Sequence, residues 1–277
     1  MNNVLRWLIW TALGLMLTAC LPWGNGNVNP SGVSQPIPLF ILAGQSNMAG
    51  QAGDGAAYPA DPQGLDPTIP FYWVIPRADQ RSQGWTSLGP QAGMFPAGHF
   101  GPEISFARHL TQEAGAPVAV FKFALGGTGL AVDWKRPGEG GLYDQFCQEY
   151  GRATGLLRQQ GKEPDPQALV WVQGESDAQT PALAAQYQAR LQLLIDDFRQ
   201  NQVQDGELPV ILGLDEQHPW VVKHPQVIAA QVAIAATDPQ ILRTSMVGLE
   251  KADTTHLTPA GLGEHGDRLA AAFESLP

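Results

Sequence analysis

Cysteine is nearly absent: the 277 residues hold only Cys20 and Cys147, and Cys20 falls in a segment that reads as removable. No internal disulfide is therefore expected in the mature chain, and no Cys-centred motif surrounds Cys147 to make it catalytic. Basic residues are also scarce, 16 Lys and Arg against 26 Asp and Glu, for a net charge of −10. No basic stripe is available to neutralise phosphates, which argues against a nucleic-acid partner. Paired cysteines and an HExxH pattern are missing, so neither a metal nor another cofactor is expected. Nothing repeats at a fixed period, so a solenoid is excluded. The N-terminal apolar run, Trp7 to Leu17, is shorter than the ~20 residues that span a bilayer and reads as the core of a signal peptide.

That run gives way to a short block ending in cysteine. Leu17-Thr18-Ala19-Cys20 resembles the lipobox of bacterial lipoproteins, in which cleavage precedes a cysteine that is then lipidated. The resemblance implies a signal peptide over 1–19, a lipidated Cys20, and an exported protein anchored at the bacterial cell envelope. Residues 20–37, rich in Gly, Asn, Pro and Ser, read as a flexible tether. The remaining 38–277 read as one domain, since 44% hydrophobic and 15% charged residues suit a large α/β fold.

From Pro38 onward, short apolar runs alternate with helical patterns. The runs "PLFILAG", "PVAVFKFA", "ALVWVQG", "LPVILGL" and "SMVGLE" begin at Pro38, Pro117, Ala168, Leu208 and Ser245, and suit buried parallel strands. Between them, Leu183, Tyr187, Leu191, Leu194 and Phe198 share a helical face, as do Ile104, Ala107 and Leu110, and Leu262, Leu269 and Phe273. Thr258-Pro259 reads as the cap and first turn of the last helix. This alternation predicts a doubly wound, mainly parallel five-stranded sheet with helices on both faces, a flavodoxin-like three-layer sandwich. In such a sheet the ligand sits beyond the carboxyl ends of the strands, and the polar candidates come directly after the strands.

Those candidates stand in "GQSNMAG", "ALGGTGLAVDW", "WVQGESDA" and "ADTTHLTPAG". In this order, from Gly44 to Gly261, the four blocks resemble the SGNH-hydrolase superfamily, and within it the sialate O-acetylesterase and carbohydrate esterase family 6 branch. The third block carries Gln173-Gly174-Glu175 where the wider superfamily has Gly-x-Asn, as this branch does. The resemblance implies a serine esterase that removes O-acetyl groups from a carbohydrate through an acetyl-enzyme. It also implies an oxyanion hole made of the Ser46 and Gly127 backbone N–H groups and the Gln173 side-chain amide.

The chemistry of the blocks agrees. A serine hydroxyl needs a base, and His256 has Asp253 three residues earlier to orient it and to support the imidazolium. Ser46 is then the nucleophile rather than a simple helix cap. Gly126 is an alternative to Gly127 as a close-approach glycine, and Asn47 and Glu175 read as supporting residues. Neither Gly44–Met48 nor Gly174–Ala178 completes G-x-S-x-G, which argues against an α/β-hydrolase elbow. Glu175 and Asp177 as a glycosidase pair would leave the serine and histidine blocks unexplained. A thioesterase or lipase with the same triad, and a non-catalytic glycan-binding lipoprotein, are the other readings. Residues 51–101 read as an irregular insertion dense in Gly, Pro and aromatics. Trp73, Trp85, His99 and, after the Gly-Gly turn, Trp134 are candidates for lining a sugar site, packing of the insertion's own core being the alternative for the aromatics. The sugar itself and the oligomeric state are not written in the sequence.

Overall fold

The computed structural model describes residues 34–77 and 80–276. The expected signal peptide, Cys20 and most of the expected tether lie outside them. The first strand, β1 (Gln35–Gly44), begins ahead of the boundary read at Pro38, because Gln35 to Pro38 already pair with Lys162 to Asp165. Its side chains alternate. Leu39, Ile41 and Ala43 enter one core, Phe40 and Leu42 the other, and all five are fully buried. A strand covered on both faces is why "PLFILAG" reads as an unbroken apolar run. Each large side chain buried there contributes about 1.5–3 kcal/mol, so Ile41→Ala would cost about 2–5 kcal/mol once the cavity is counted.

The other strands are β2 (Pro70–Ile75), β3 (Gln80–Arg81), β4 (Thr86–Ser87), β5 (Ala119–Ala124), β6 (Lys162–Val172), β7 (Val210–Leu214) and β8 (Ile241–Ser245). They form one eight-stranded sheet in the order β3-β2-β5-β1-β6-β7-β8, with β4 beside β2. All neighbours are parallel except β3 and β4, which run antiparallel to β2. The helices are α1 (Ser46–Ala49), α2 (Glu103–Ala114), α3 (Leu142–Gln159), α4 (Pro181–Ala184), α5 (Tyr187–Asp197), α6 (Pro219–Lys223), α7 (Gln226–Thr237) and α8 (Pro259–Glu274). The buried faces of α2 and α8 cover the Phe40 side of the sheet, and those of α3, α5 and α7 cover the Ile41 side. This is the expected three-layer α/β class. Thr258 caps α8, its Oγ1 accepting from Gly261 N at 3.1 Å with Pro259 in the first turn.

The sheet differs from the expectation in two places. Residues 70–75, read as part of an irregular insertion, form the buried strand β2. "PFYWVI" sends Phe71, Trp73 and Ile75 to one core and Tyr72 and Val74 to the other, a period of two hidden among surrounding turns. The last strand is "ILRTS", not "SMVGLE": Met246 onward is a loop. β8 is an edge strand with partly exposed Arg243 and Thr244, so its apolar signal is weak. With the short β3 and β4 beside β2, the strand count among the described residues is eight rather than five.

β1 lies between β5 and β6. The chain builds outward on one side through β5 and β2, and on the other through β6, β7 and β8. The loops after β1, β5 and β6 thus meet where the strand order reverses, the crevice at which sheets of this kind bind ligands.

Candidate active site

The first block begins with a close approach. Gly44 ends β1 at φ +153°, and a Cβ there would lie 2.0 Å from Val172 O. Only glycine fits, and the chain can then turn at once, with Gln45 N–H donating to Val172 O at 2.9 Å. Gln45 is the cap of α1 and makes no side-chain cap bond, so Ser46 is the first helical residue and not the cap. Its backbone N–H has no intrahelical acceptor at that position. Ser46 is 8% exposed.

The second block lies against it. A Cβ on Gly126 would be 3.5 Å from the Ser46 Cβ and 3.0 Å from Gln51 Oε1. Gly127 takes φ +71°, and a Cβ there would meet nothing within 4 Å. Gly126 thus packs beside the serine while Gly127 borders open space. Among the described residues, the N–H groups of Ser46 and Gly127 donate to no other group.

The fourth block holds the candidate acid and base. Asp253 Oδ2 accepts from His256 Nδ1 at 2.8 Å, and Oδ1 accepts from the backbone N–H of Thr255 (2.6 Å) and His256 (2.8 Å) and from Thr255 Oγ1 (2.9 Å). Burial acts to raise the Asp253 pKa, but the bonds from His256 and Thr255 outweigh it and hold the carboxyl well below the usual carboxylate range. With Nδ1 donating to that carboxylate, Nε2 of His256 is the free acceptor.

Asn47 joins the first and fourth blocks. Its Nδ2 donates to Thr255 O at 3.1 Å and its Oδ1 accepts from Leu257 N at 3.1 Å. One fully buried side chain next to Ser46 therefore grips both residues that flank His256. Ser46 Oγ and His256 Nε2 share this edge without a direct hydrogen bond among the described contacts, and bonds of that kind tighten when substrate binds.

The third block reaches the others side chain by side chain. Ser176 Oγ donates to Gln45 Oε1 at 2.9 Å. Gln173 Nε2 donates to Thr128 O at 3.0 Å and to Asp177 Oδ2 at 2.6 Å. Asp177 in turn accepts from Leu130 N at 2.8 Å and Ala131 N at 3.2 Å. Gln173 and Asp177 together hold the turn that carries Gly127. Glu175 is fully buried, and neither of its oxygens has a partner of good hydrogen-bond geometry. Burial pushes its pKa up to about 7; Asp215 adds to the rise, while its own N–H, the Asn47 amide and Lys251 oppose it.

Gln173, expected to be a third oxyanion donor, is placed otherwise in this structure. Both amide hydrogens are used and the side chain is wholly buried, so it acts through Thr128 and Asp177. Asp177, weighed in the sequence only as half of a carboxylate pair, belongs with it. Its position four residues after Gln173 in one short block is the signal that could have marked it.

The four sugar-lining candidates are buried or half-buried, Trp73 bordering a surface cavity with Arg81 and Arg152. Trp134 is 0% exposed, its ring 4.6 Å from that of Trp171 and its Nε1 donating to Thr128 Oγ1 at 3.2 Å. Trp73 is buried in β2 and His99 is fully buried between Asp54 and Gln91. Trp85 is half-buried, with Nε1 donating to Ala153 O at 2.8 Å. The reason is common to three of them. Residues 51–101 wrap the sheet edge through β2 to β4, so their aromatics fill its cores. By contrast the buried His218, set aside in the sequence, has its pKa held down mainly by burial, with Asp215, Lys251, His256 and Asp253 acting on it as well. The exposed ring of Trp220 sits 5.1 Å from it. Cys147 is half-buried and its thiol is pushed up to about 12, mainly by burial, so it is no thiolate nucleophile. No group of three or more potential metal ligands occurs among the described residues.

The protein family described as "Carbohydrate esterase, sialic acid-specific acetylesterase" matches residues 36–275. No curated protein matches significantly. Among solved structures, a protein from Arabidopsis thaliana is 23% identical over 87% of this chain and 100% of its own, with a TM-score of 0.64. A carbohydrate acetylesterase from Xanthomonas citri is 19% identical over 86% of this chain and 56% of its own, with a TM-score of 0.58. NanS is 15% identical over 86% of this chain and 97% of its own, with a TM-score of 0.59. At these identities the structural likeness is one of fold.

Proposed function

The chain belongs to the carbohydrate esterase, sialic acid-specific acetylesterase family, its activity is the removal of O-acetyl groups from carbohydrates, and from that premise we propose that Ser46, His256 and Asp253 carry the reaction. His256 Nε2 takes the proton of Ser46 Oγ as that oxygen bonds to the acetyl carbonyl carbon. The carbonyl oxygen becomes negative and is met by the N–H groups of Ser46 and Gly127. As the bond to the sugar oxygen breaks, the imidazolium returns its proton to that oxygen, and the sugar leaves with a free hydroxyl. Water then gives a proton to His256 and attacks the acetyl-serine. Collapse releases acetate and restores the Ser46 hydroxyl. Asp253 stays ionised throughout and steadies the imidazolium.

The observation that carries this reading is Asn47, whose two hydrogen bonds to Thr255 and Leu257 hold the Asp253–His256 loop beside Ser46. Ser46→Ala should lower kcat by about 10³-fold or more with the circular dichroism unchanged. Activity near wild type in that variant sinks the assignment. Acetate release from acetylated sialic acid, acetylated xylan and other acetylated glycans would set the sugar.

Lipid anchoring is the second part of the proposal. Leu17-Thr18-Ala19-Cys20 supports processing to an N-terminal acylated Cys20 and retention at the bacterial cell envelope on the exported side. One acyl chain holds a membrane only weakly, so several are expected. Mass spectrometry of the membrane fraction should find the acylated Cys20. A soluble protein with an unmodified N-terminus elsewhere refutes it.

A further inference from the structure

A lysine sits in the middle of a strand that is otherwise apolar. Lys122 lies on β5 between Leu42 of β1 and Trp73 of β2 and is 1% exposed. Its Nζ donates to Glu103 Oε2 at 2.7 Å and to Ala49 O at 3.2 Å. Glu103 is fully buried as well, and its Oε1 accepts from Gly101 N at 2.9 Å and from Gln91 Nε2 at 3.0 Å. Stability alone gives no reason for this pair, since a buried ion pair is often matched or bettered by apolar residues of similar volume.

Ala49 supplies another reason. It is the last residue of α1, the single turn that starts at Ser46, and its carbonyl lies beyond the reach of an intrahelical donor. The next two N–H groups, of Gly50 and Gln51, both go to Ser46 O. The surrounding backbone leaves no slack. A Cβ on Gly50 would lie 1.9 Å from Phe100 O, and one on Gly101 would lie 2.5 Å from Met48 O, 2.7 Å from Glu103 Oε2 and 2.9 Å from Lys122 Nζ. The turn, the Phe100–Glu103 segment and the ion pair interlock.

We infer that Lys122 and Glu103 are positioning residues for the nucleophile: the ammonium fixes the Ala49 carbonyl, and through one rigid helical turn it fixes where Ser46 stands. This rests on the reading of Ser46 as the attacking residue. A shift of about 1 Å at a nucleophile costs on the order of 10² in rate, so a small slackening at Ala49 is read out at Ser46.

The test is Lys122→Met combined with Glu103→Gln, which removes both charges, nearly preserves volume and leaves an acceptor for Gly101 N–H. Melting temperature, kcat and KM on an acetyl ester, and the rate at which a small fluorophosphonate labels Ser46 are measured together. A folded double variant should lose about 10–100-fold in kcat and in labelling rate, with KM within about twofold. A purely structural pair would leave both rates unchanged in the folded variant, and that result overturns the inference. Should the double variant fail to fold, Glu103→Asp keeps both charges and draws Lys122 away from Ala49. It should lower both rates by about 3–10-fold, and wild-type rates in that variant overturn the inference equally. Activity surviving in Ser46→Ala instead removes the premise, so the two failures are distinguishable.

Discussion

Replacing Glu175 by glutamine is expected to stabilise the fold, and to do so only above about pH 5. The carboxyl is 1% exposed and without a partner of good geometry. Burial, with Asp215 nearby, moves its pKa from the ordinary 4.5 to about 7. A raised carboxyl pKa means that the folded chain keeps a proton which the unfolded chain releases. The stabilising contribution is full below pH 4.5, is lost as pH climbs to about 7, and is gone above that. At about 1.4 kcal/mol per pH unit the loss amounts to about 3 kcal/mol. That is a large share of the ~5–15 kcal/mol that holds a domain together. Glutamine keeps the shape and cannot ionise. The stability of Glu175→Gln relative to wild type should therefore rise by about 3 kcal/mol between pH 4.5 and pH 8. Urea unfolding of both proteins across that range measures it, and the difference between them cancels Asp253 and every other shared group. A difference that stays flat with pH, or a wild type that is the more stable at pH 8, would refute the reading of Glu175 as a neutral acid in the fold. Activity on an acetyl ester should fall by less than about tenfold, because the amide keeps its place beside Asn47.

Asn47→Ala frees Thr255 O and Leu257 N inside the protein, and should lower kcat by about 10–100-fold as the His256 loop drifts from Ser46, a loss that steady-state kinetics on a folded sample would show. Gln173→Ala leaves Thr128 O without its side-chain donor and Asp177 with only the Leu130 and Ala131 N–H groups. It should cost about 2–4 kcal/mol in urea unfolding together with about tenfold in kcat, whereas a direct oxyanion donor would cost about 10²–10³ in kcat with little stability change. Trp134→Phe removes a buried ring edge and the bond to Thr128, so its melting temperature should fall by several degrees while KM for an acetylated sugar stays within about twofold; a KM rise of about tenfold or more would return the ring to the sugar site.

Much of the chemistry was legible because it is local. Asp253 and His256 are three apart in one loop, and that spacing alone lets a carboxylate reach an imidazole. Gly44, which must turn the chain against Val172 O, and Ser46 beyond it stand in one short block. The central strands β1, β5, β6 and β7 were legible because burial on both faces turns each into an apolar run. β8 and β2 were not. An edge strand mixes Arg243 and Thr244 into its run, and six residues with three aromatics in succession are easily lost among glycines and prolines.

Sequence alone determined the layered α/β class and the order of the blocks, and it put forward Ser46, His256 and Asp253 as candidate nucleophile, base and acid, since periodicity and short spacings are properties of neighbours along the chain. Tertiary structure decided which donors are free. Gln173 is spent on Thr128 and Asp177, and the Trp134 ring is enclosed by Trp171 and Phe146. It also decided what holds Ser46 in place: Asn47 reaches Thr255 and Leu257 across more than two hundred residues, and Lys122 reaches Ala49 across seventy-three. Hydrogen bonds and burial depend on what the fold brings within about 3 Å, and a partner that distant in the chain leaves no mark on the residues beside it.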